Sequence, residues 1–263
     1  SLFSSTANAD LTKFFKRMGC EASTNAYSIT GGTPLVDSLL SVRYALYSEY
    51  IPNTDLVNYI QESGGTYLYE NLYTLPLGFV LPYDLADNWQ YQMENPAEVQ
   101  NDLCLLLGTD DVLVPVETEV SGSGCTFTAD MAGEYYVYIQ NKKVKNVKAS
   151  LPSGEKNFSN VDRGYLLEMG NLSEGSRITL TPGESGETLT AAVYRFSPRA
   201  MIQVYDRLSQ SPLHLDSWRD TKLTGTVTAA ESGTLFLSIP YDEGWTITID
   251  DAIDVLTDES TED

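Results

Sequence analysis

Positive charge is scarce in this chain of 263 residues, in which 16 Lys and Arg residues are set against 37 Asp and Glu residues. The formal net charge of −21 gives a surface that repels nucleic-acid phosphates, anionic lipid headgroups and other polyanions. Nucleic acid is therefore excluded as a partner. The acidic residues themselves are typical of a solvated surface that keeps a protein in solution.

The chain is also poor in the residues that carry common catalytic chemistry. His214 is its only histidine, and no Gly-x-Ser-x-Gly turn occurs, so we expect a surface loop position rather than a Ser-His-Asp triad. Cys20, Cys104 and Cys125 have no Cys-x-x-Cys spacing and are expected to be buried thiols, with one bridging pair as the alternative. Phosphate-binding glycine patterns and EF-hand spacing are missing too. We therefore predict no catalytic residue, no metal and no cofactor.

Long apolar runs are absent as well. The longest, Leu75–Pro82 and Leu103–Leu107, fall far short of the roughly 18–20 residues that cross a bilayer. The start of the chain carries no basic segment followed by an apolar one, and residue 1 is Ser. We expect a soluble piece of a longer protein.

What residues 1–111 do contain is a mixture of helix and strand signals. Asn8 or Thr6 can cap a helix that ends at Gly19, and Asn95-Pro96 opens a second helix that ends at Gly108. The apolar residues of the first helix share one face: Leu11, Phe14, Phe15 and Met18. A helical turn is predicted from Thr33-Pro34 to Leu39, and strands at 41–47, 64–74 and 75–81. This part reads as a mixed α/β subdomain.

Residues 112–250 change to short strands separated by turns. The predicted strands are Val112–Val120, Gly133–Gln140, Val144–Leu151, Gly164–Met169, Arg177–Leu180 and Thr188–Phe196. Strands at this spacing favour a mainly antiparallel β-sandwich of the jelly-roll type, with one inserted helix opened by Ser197-Pro198. The predicted fold class is therefore α+β. Residues 251–263 read as an acidic tail.

The segment Thr234–Asp250 is the most distinctive in the chain. Alternating apolar residues predict one strand through Leu235, Leu237 and Ile239, and a second through Trp245, Ile247 and Ile249. Pro240 and Gly244 suit the tight corner between them. We expect Trp245 to face the core together with the two isoleucines that alternate with it.

Four segments carry a resemblance to a known family. They are Phe3–Thr6 with the amphipathic helix to Gly19, Thr33–Tyr44, Leu75–Phe79, and Asp220–Val227 followed by Ser238–Trp245. Together, in this order, they resemble the exterior part of the YfhO family of bacterial membrane proteins. The match departs from the family at Asp250-Asp251, where members usually continue with Asp-Gly and further strands. The resemblance therefore implies that the final strands of a sheet are missing.

The resemblance also implies a function for the parent protein. Family members are multi-spanning proteins similar to GT-C glycosyltransferases, which use lipid-linked sugars and have been implicated in glycosylating cell-envelope polymers such as lipoteichoic acid. This chain would be their non-catalytic domain on the extracellular face of the membrane. Its partners would be a glycan or envelope polymer and the membrane-embedded part of the same protein. The acidic residue proposed to catalyse transfer lies in a loop that this chain does not contain.

Sugar binding is the activity that the residues themselves best support. Sugars stack their C–H faces on aromatic rings, while nearby Asp and Asn side chains bind the hydroxyl groups. A loop with this composition lies between a predicted strand and the Asn95 helix, and its candidate residues are Tyr83, Asp84, Asp87, Asn88, Trp89 and Tyr91. Packing of the loop on the core through Trp89 is the alternative interpretation.

Two further interpretations remain open. One is a stand-alone carbohydrate-binding module of a secreted protein, and the weaker one is a glycoside hydrolase, for which the sequence selects no carboxylate pair.

Lys142, Lys143, Lys145 and Lys148 form the one basic cluster apparent along the chain. They could face phosphates, although a solvated hairpin is the plainer expectation.

Overall fold

The computed structural model describes residues 2–3, 8–229 and 231–250. The predicted acidic tail at 251–263 and the alternative cap Thr6 lie outside the described residues. The elements of the first part are β1 (Leu2–Phe3), α1 (Ala9–Arg17), β2 (Ala22–Ser23), β3 (Ala26–Tyr27), α2 (Pro34–Leu39), β4 (Tyr44–Tyr47), β5 (Val57–Ser63), β6 (Thr66–Asn71), β7 (Gly78–Pro82), α3 (Leu85–Asn88) and α4 (Pro96–Leu107). Two small antiparallel sheets have the strand orders β1-β3-β2 and β4-β6-β5.

The helix ends follow the capping chemistry of the sequence. The Asn8 side chain accepts hydrogen bonds from the backbone N–H groups of Asp10 and Leu11, both at 3.0 Å, so Asn8 is the cap of α1. Asn95 caps α4 in the same way, since its side chain accepts from the N–H of Ala97 at 3.1 Å. Gly108 ends α4 with a left-handed φ of +67°, a conformation that glycine adopts without strain. Both predicted helices are confirmed.

The second part begins with a two-sheet sandwich. Its strands are β8 (Leu113–Val116), β9 (Thr118–Ser121), β10 (Gly124–Thr128), β11 (Gly133–Ile139), β12 (Asn146–Leu151), β13 (Gly154–Ser159), β14 (Leu167–Leu172), β15 (Arg177–Pro182) and β16 (Ala191–Phe196), with a 3₁₀ turn at Val161–Arg163. One antiparallel sheet has the order β13-β12-β15-β10-β9 and the other the order β14-β11-β16-β8. The predicted α+β fold with an antiparallel sandwich is confirmed. The strand predicted over Val112–Val120 is two strands, β8 and β9, which belong to different sheets.

Strand β11 shows why the molecule has a third layer. Side chains alternate between the two faces of a strand, and β11 is buried on both. Tyr135, Val137 and Ile139 lie in the core between the two sheets. Tyr136 and Tyr138 lie on the opposite face, in a second core with α1, α2, α4 and the helix that follows β16. The helices therefore cover the outer face of the sheet that contains β11.

The remaining elements return the chain to the first part. They are α5 (Pro198–Leu208), β17 (Leu213–Arg219), β18 (Lys222–Val227) and β19 (Gly233–Leu237). β17 and β18 form a hairpin, while β19 pairs antiparallel with β7. The rings of Phe79 and Phe236 stack across this pair with centroids 5.0 Å apart. Strands at positions 78–82 and 233–237 thus form one ribbon.

The second strand predicted in the closing motif is wrong. Residues after Gly244 form no strand among the described residues, and Trp245, Ile247 and Ile249 are 41%, 68% and 81% exposed. Alternation marks one apolar face, but that face is buried only where another layer covers it. Here β19 pairs with β7, and the described part of the chain places no layer over residues 245–249.

Candidate functional site

The predicted sugar-binding loop forms a short surface turn around α3. Asp84 precedes the helix with a left-handed φ of +66°, and Asn88 donates a hydrogen bond from its amide to the Asp84 carbonyl at 2.9 Å. Tyr83 is 72% exposed, and Asp84, Asp87 and Asn88 are exposed as well. The structure therefore places an exposed aromatic ring and three exposed polar side chains in one turn.

Trp89 and Tyr91 have a different environment, because both are half-buried against the helical core. The Trp89 indole N–H donates to the Val99 carbonyl at 2.8 Å, and its ring lies 5.4 Å from that of Tyr91. Tyr91 also stacks on Phe14 of α1 at 6.2 Å, and burial raises the pKa of its hydroxyl to about 12. These two candidates therefore pack the loop against the helical core, whereas the other four are exposed.

Arg17 fastens the end of this loop to α1. Its guanidinium donates to the backbone carbonyls of Gln92 at 2.8 Å and Met93 at 2.9 Å. A second nitrogen donates to the Gln92 side-chain oxygen at 3.3 Å. These three hydrogen bonds fix the orientation of the planar guanidinium and link the end of the loop to α1.

Next to this contact lies a cleft of about 740 Å³ whose lining is basic. Five cations line it, against two carboxylates, although the whole chain has 16 Lys and Arg for 37 Asp and Glu. The cations are Lys13, Lys16, Arg17, Lys142 and Arg163, and the carboxylates are Glu94 and Asp162. We call this cavity the basic cleft. It gathers nearly a third of the positive charges of an acidic protein at one place.

The far wall of the basic cleft is built around Tyr138. Lys142 donates to the Tyr138 hydroxyl at 2.8 Å, and its ammonium lies 4.4 Å from the centroid of the same ring. Partial burial lowers the pKa of Lys142. Gly164 lines the same wall, and a Cβ there would come within 3.1 Å of the Lys142 ammonium nitrogen. The glycine leaves room for the lysine to lie across the tyrosine.

Of the five cations that line the basic cleft, only Lys142 belongs to the basic cluster that the sequence indicated. Of the predicted basic group, Lys142 lines the cleft, whereas Lys148 forms an ion pair with Glu155 at 2.6 Å and the other two do not line it. The cations of α1 were missed, although Lys13, Lys16 and Arg17 have the i, i+3, i+4 spacing of one helix face. That face lies beside the predicted apolar face, and the spacing was the available signal.

A group of carboxylates lies elsewhere, where α2 meets the β11–β14 pair. The Gly31 N–H donates to Glu168 at 2.6 Å, and the Tyr136 hydroxyl donates to Glu134 at 3.1 Å. Burial, with the nearby charges of Glu168 and Glu134, raises the pKa of Asp37 to about 7. Burial also raises the pKa of Glu134 and of Glu168. The protonation of Asp37 on α2 therefore depends on the charges of Glu134 and Glu168 on two strands of the sandwich.

The structure also places the other residues that the sequence singled out. The three cysteines are buried free thiols, as predicted, and burial raises the pKa of Cys104 to about 11. His214 lies on β17 opposite Thr226 rather than in a loop, and it is exposed. Trp218 is 77% exposed on the same hairpin. In the described part of the chain, no three His, Cys, Asp or Glu residues are grouped as metal ligands.

Comparison with known proteins identifies one family. The family model described as "Bacterial membrane protein YfhO" matches residues 1–112 and 117–254. No curated protein and no solved structure matches the chain. Among the described residues, none of the helices has the length and hydropathy that a membrane crossing requires.

Proposed function

This chain belongs to the YfhO family of bacterial membrane proteins, and on that premise we propose that it is a non-catalytic, glycan-binding domain of such a protein. The domain lies on the extracellular face of the membrane. It holds the envelope polymer, such as lipoteichoic acid, to which the membrane-embedded part of the same protein transfers sugars. The parent protein is then the glycosyltransferase, and this chain supplies the acceptor site.

The exposed turn around α3 is the observation that supports glycan binding. Tyr83 is exposed to solvent, and the polar side chains of Asp84, Asp87 and Asn88, which follow it within five residues, are exposed as well. Because Trp89 and Tyr91 are packed on the core and Arg17 holds the end of the loop, the exposed groups have a fixed scaffold. A fixed platform loses less conformational entropy when it binds a ligand.

Exposed apolar side chains support a second partner, the membrane-embedded part of the protein. Trp218 on the β17–β18 hairpin, and Ile247 and Ile249 after β19, expose large apolar surfaces to solvent. Apolar groups in contact with water favour association with another protein surface or with the membrane interface. We assign these groups to contact with the membrane-embedded part, and the α3 turn to the glycan.

Titration of neutral oligosaccharides into the chain tests the glycan site. Tyr83→Ala removes the exposed ring, and stacking on one aromatic ring contributes roughly 1 kcal/mol, so we expect about fivefold weaker binding. Tyr241→Ala is the matched control, because Tyr241 is 68% exposed and lies outside the loop. Binding that neither substitution changes, or no binding of any envelope glycan, would contradict the proposal.

A further inference from the structure

The basic cleft holds positive charge that the protein leaves unpaired. Arg163 forms an ion pair with Glu21 at 3.3 Å. Within the described ranges, the other four cations, Lys13, Lys16, Arg17 and Lys142, form no ion pair with a carboxylate within 4.0 Å. A protein with 37 acidic residues has many opportunities to neutralise them. Glu94 and Asp162 also line the cleft, so five positive charges face two negative ones. The positive charges in excess repel one another, and an anion bound between them reduces that cost.

The free donors point to the kind of anion. A carboxylate is best matched by the planar fork of an arginine, but both arginines of the cleft are engaged. Arg17 is bound to the carbonyls of Gln92 and Met93, and Arg163 to the Glu21 carboxylate. The remaining cations are the ammonium groups of Lys13, Lys16 and Lys142, which bind phosphate as point charges from several directions. Lys142 already donates to the Tyr138 hydroxyl and to the Ile139 carbonyl, so one of its three N–H groups is left for a ligand.

The shape and surroundings of the cleft limit the size of its occupant. A cavity of about 740 Å³ has room for several linked groups, in the range of small-ligand pockets. The rest of the molecule is acidic, so an extended anionic surface such as a lipid bilayer would be repelled as it approached. A narrow chain that inserts its phosphates into the cleft escapes most of this repulsion, because exposed charges separated by more than about 8 Å are largely screened at physiological salt.

We infer that the basic cleft is a phosphate-binding site for a phosphorylated polyol or sugar chain, with Lys13, Lys16 and Lys142 as the groups that contact its phosphates. The location of the site rests on the lining of the cleft, and the choice of a polyol or sugar chain rests on the proposed function, in which the domain holds an envelope polymer. Gln92, which lines the cleft, follows the glycan candidate Tyr91 directly along the chain, and Glu94 of the same lining lies two residues further on. A ligand that carries both sugar and phosphate could therefore occupy both places.

Calorimetric titration of the 263-residue chain with a short glycerol–phosphate polymer, and with inorganic phosphate, tests the inference. A hydrogen bond to a charged group contributes about 1.5 kcal/mol or more, which corresponds to roughly tenfold in Kd. We expect Lys13→Gln/Lys142→Gln to weaken polymer binding by about tenfold or more. The matched control Lys143→Gln/Lys145→Gln removes the same charge outside the cleft and should change Kd by less than about twofold. Circular dichroism of both variants checks that each is folded.

The other outcomes overturn the inference. Equal weakening by the two double substitutions would show that only the overall charge matters. A polygalacturonate chain that binds as tightly as the phosphate polymer would exclude phosphate specificity. Tighter binding to phosphatidylglycerol vesicles than to the polymer would make the cleft a membrane contact, and no binding to the wild-type chain would leave no site. Because the neutral sugars of the Tyr83 experiment carry no phosphate, the two proposals fail independently.

Discussion

The hydroxyl oxygens of Ser41 and Ser238, which are 197 residues apart in the chain, lie 2.8 Å from each other. Ser41 also donates to the Pro76 carbonyl at 3.0 Å, and Ser238 donates to the Leu77 carbonyl at 3.2 Å. Three of the segments that carry the family resemblance, Thr33–Tyr44, Leu75–Phe79 and Ser238–Trp245, therefore meet at this contact. The closing motif contributes to the joint between the first and last parts of the fold.

Substitutions at Ser41 should separate the contribution of its hydrogen bonds to stability from the cost of its backbone strain. Ser41 has a left-handed φ of 58°, which is unfavourable for any residue with a Cβ. Ser41→Ala and Ser41→Gly both remove the hydrogen bonds, but glycine relieves the strain. We expect Ser41→Ala to lower the free energy of unfolding by roughly 1 kcal/mol more than Ser41→Gly does, measured by urea denaturation. Equal losses would mean that strain at Ser41 is negligible.

Gly31 should be far more sensitive to alanine than an exposed glycine with the same backbone. Gly31 and Gly65 both have a left-handed φ, +84° and +79°. A Cβ at Gly31 would overlap the carbonyl oxygens of Gly19 and Leu166, whereas a Cβ at Gly65 would meet nothing within 4 Å. We expect Gly65→Ala to cost about 1 kcal/mol and Gly31→Ala roughly 3 kcal/mol or more. Thermal unfolding of both variants measures the difference, and similar Tm values would disprove the close approach.

Asp37 should make the protein less stable as pH rises. Its pKa is raised from 3.8 to about 7 in the folded chain, so the folded state keeps a proton that the unfolded state has lost. The free energy of unfolding therefore decreases between about pH 4 and pH 7, and the full penalty is present above pH 7. Burial is the largest cause of this raised pKa, and the negative charges of Glu168 and Glu134 raise it further.

Asp37→Asn removes this penalty. The variant should be more stable than the wild-type chain at pH 8, and its advantage should be smaller by roughly 1–3 kcal/mol at pH 5, since one pKa unit corresponds to about 1.4 kcal/mol. Asp55→Asn at an exposed position is the control for the loss of one negative charge. Urea denaturation at the two pH values measures both. An advantage for Asp37→Asn that does not depend on pH would contradict the raised pKa.

Trp89 and Trp245 should differ in their contribution to stability. Trp89 packs on the helical core and donates to the Val99 carbonyl, whereas Trp245 is 41% exposed outside any strand. We expect Trp89→Ala to cost roughly 3 kcal/mol of unfolding free energy and Trp245→Ala less than about 1 kcal/mol. Chemical denaturation of each variant compares them. A large loss at Trp245 would restore the core position that the alternation predicted.

Local chemistry explains which parts of the fold could be predicted. Asn8, Asn95 and Ser197 cap helices because their side chains accept from nearby backbone N–H groups, and these contacts are within a few residues. The spacing of strands and turns in 112–196 was sufficient to predict a sandwich, although β10 and β13 were not among the predicted strands. The pairing of β19 with β7 was not predictable, because nothing local specifies a partner about 150 residues away.

The two proposed binding surfaces, the α3 turn and the basic cleft, also differ in how far the sequence could predict them. The candidates of the α3 turn all lie within residues 83–91, so composition was enough to propose them. The basic cleft combines Lys13 of α1, Lys142 after β11 and Arg163 of the 3₁₀ turn, which only the tertiary structure brings together. The alternation at Trp245 indicated an apolar face correctly, but a sequence pattern does not show whether a second layer covers that face.

The position of this domain relative to the membrane is the central claim, and cysteine labelling of the parent membrane protein in intact cells tests it most directly. Ser153→Cys introduces a thiol in the exposed turn between β12 and β13, while Cys20, Cys104 and Cys125 of this chain are buried. The label on the unsubstituted parent protein is measured as the background. Above that background, a membrane-impermeant maleimide should label the variant in intact cells as fully as in lysed cells. Labelling that requires lysis would place the domain on the cytoplasmic side and contradict the account.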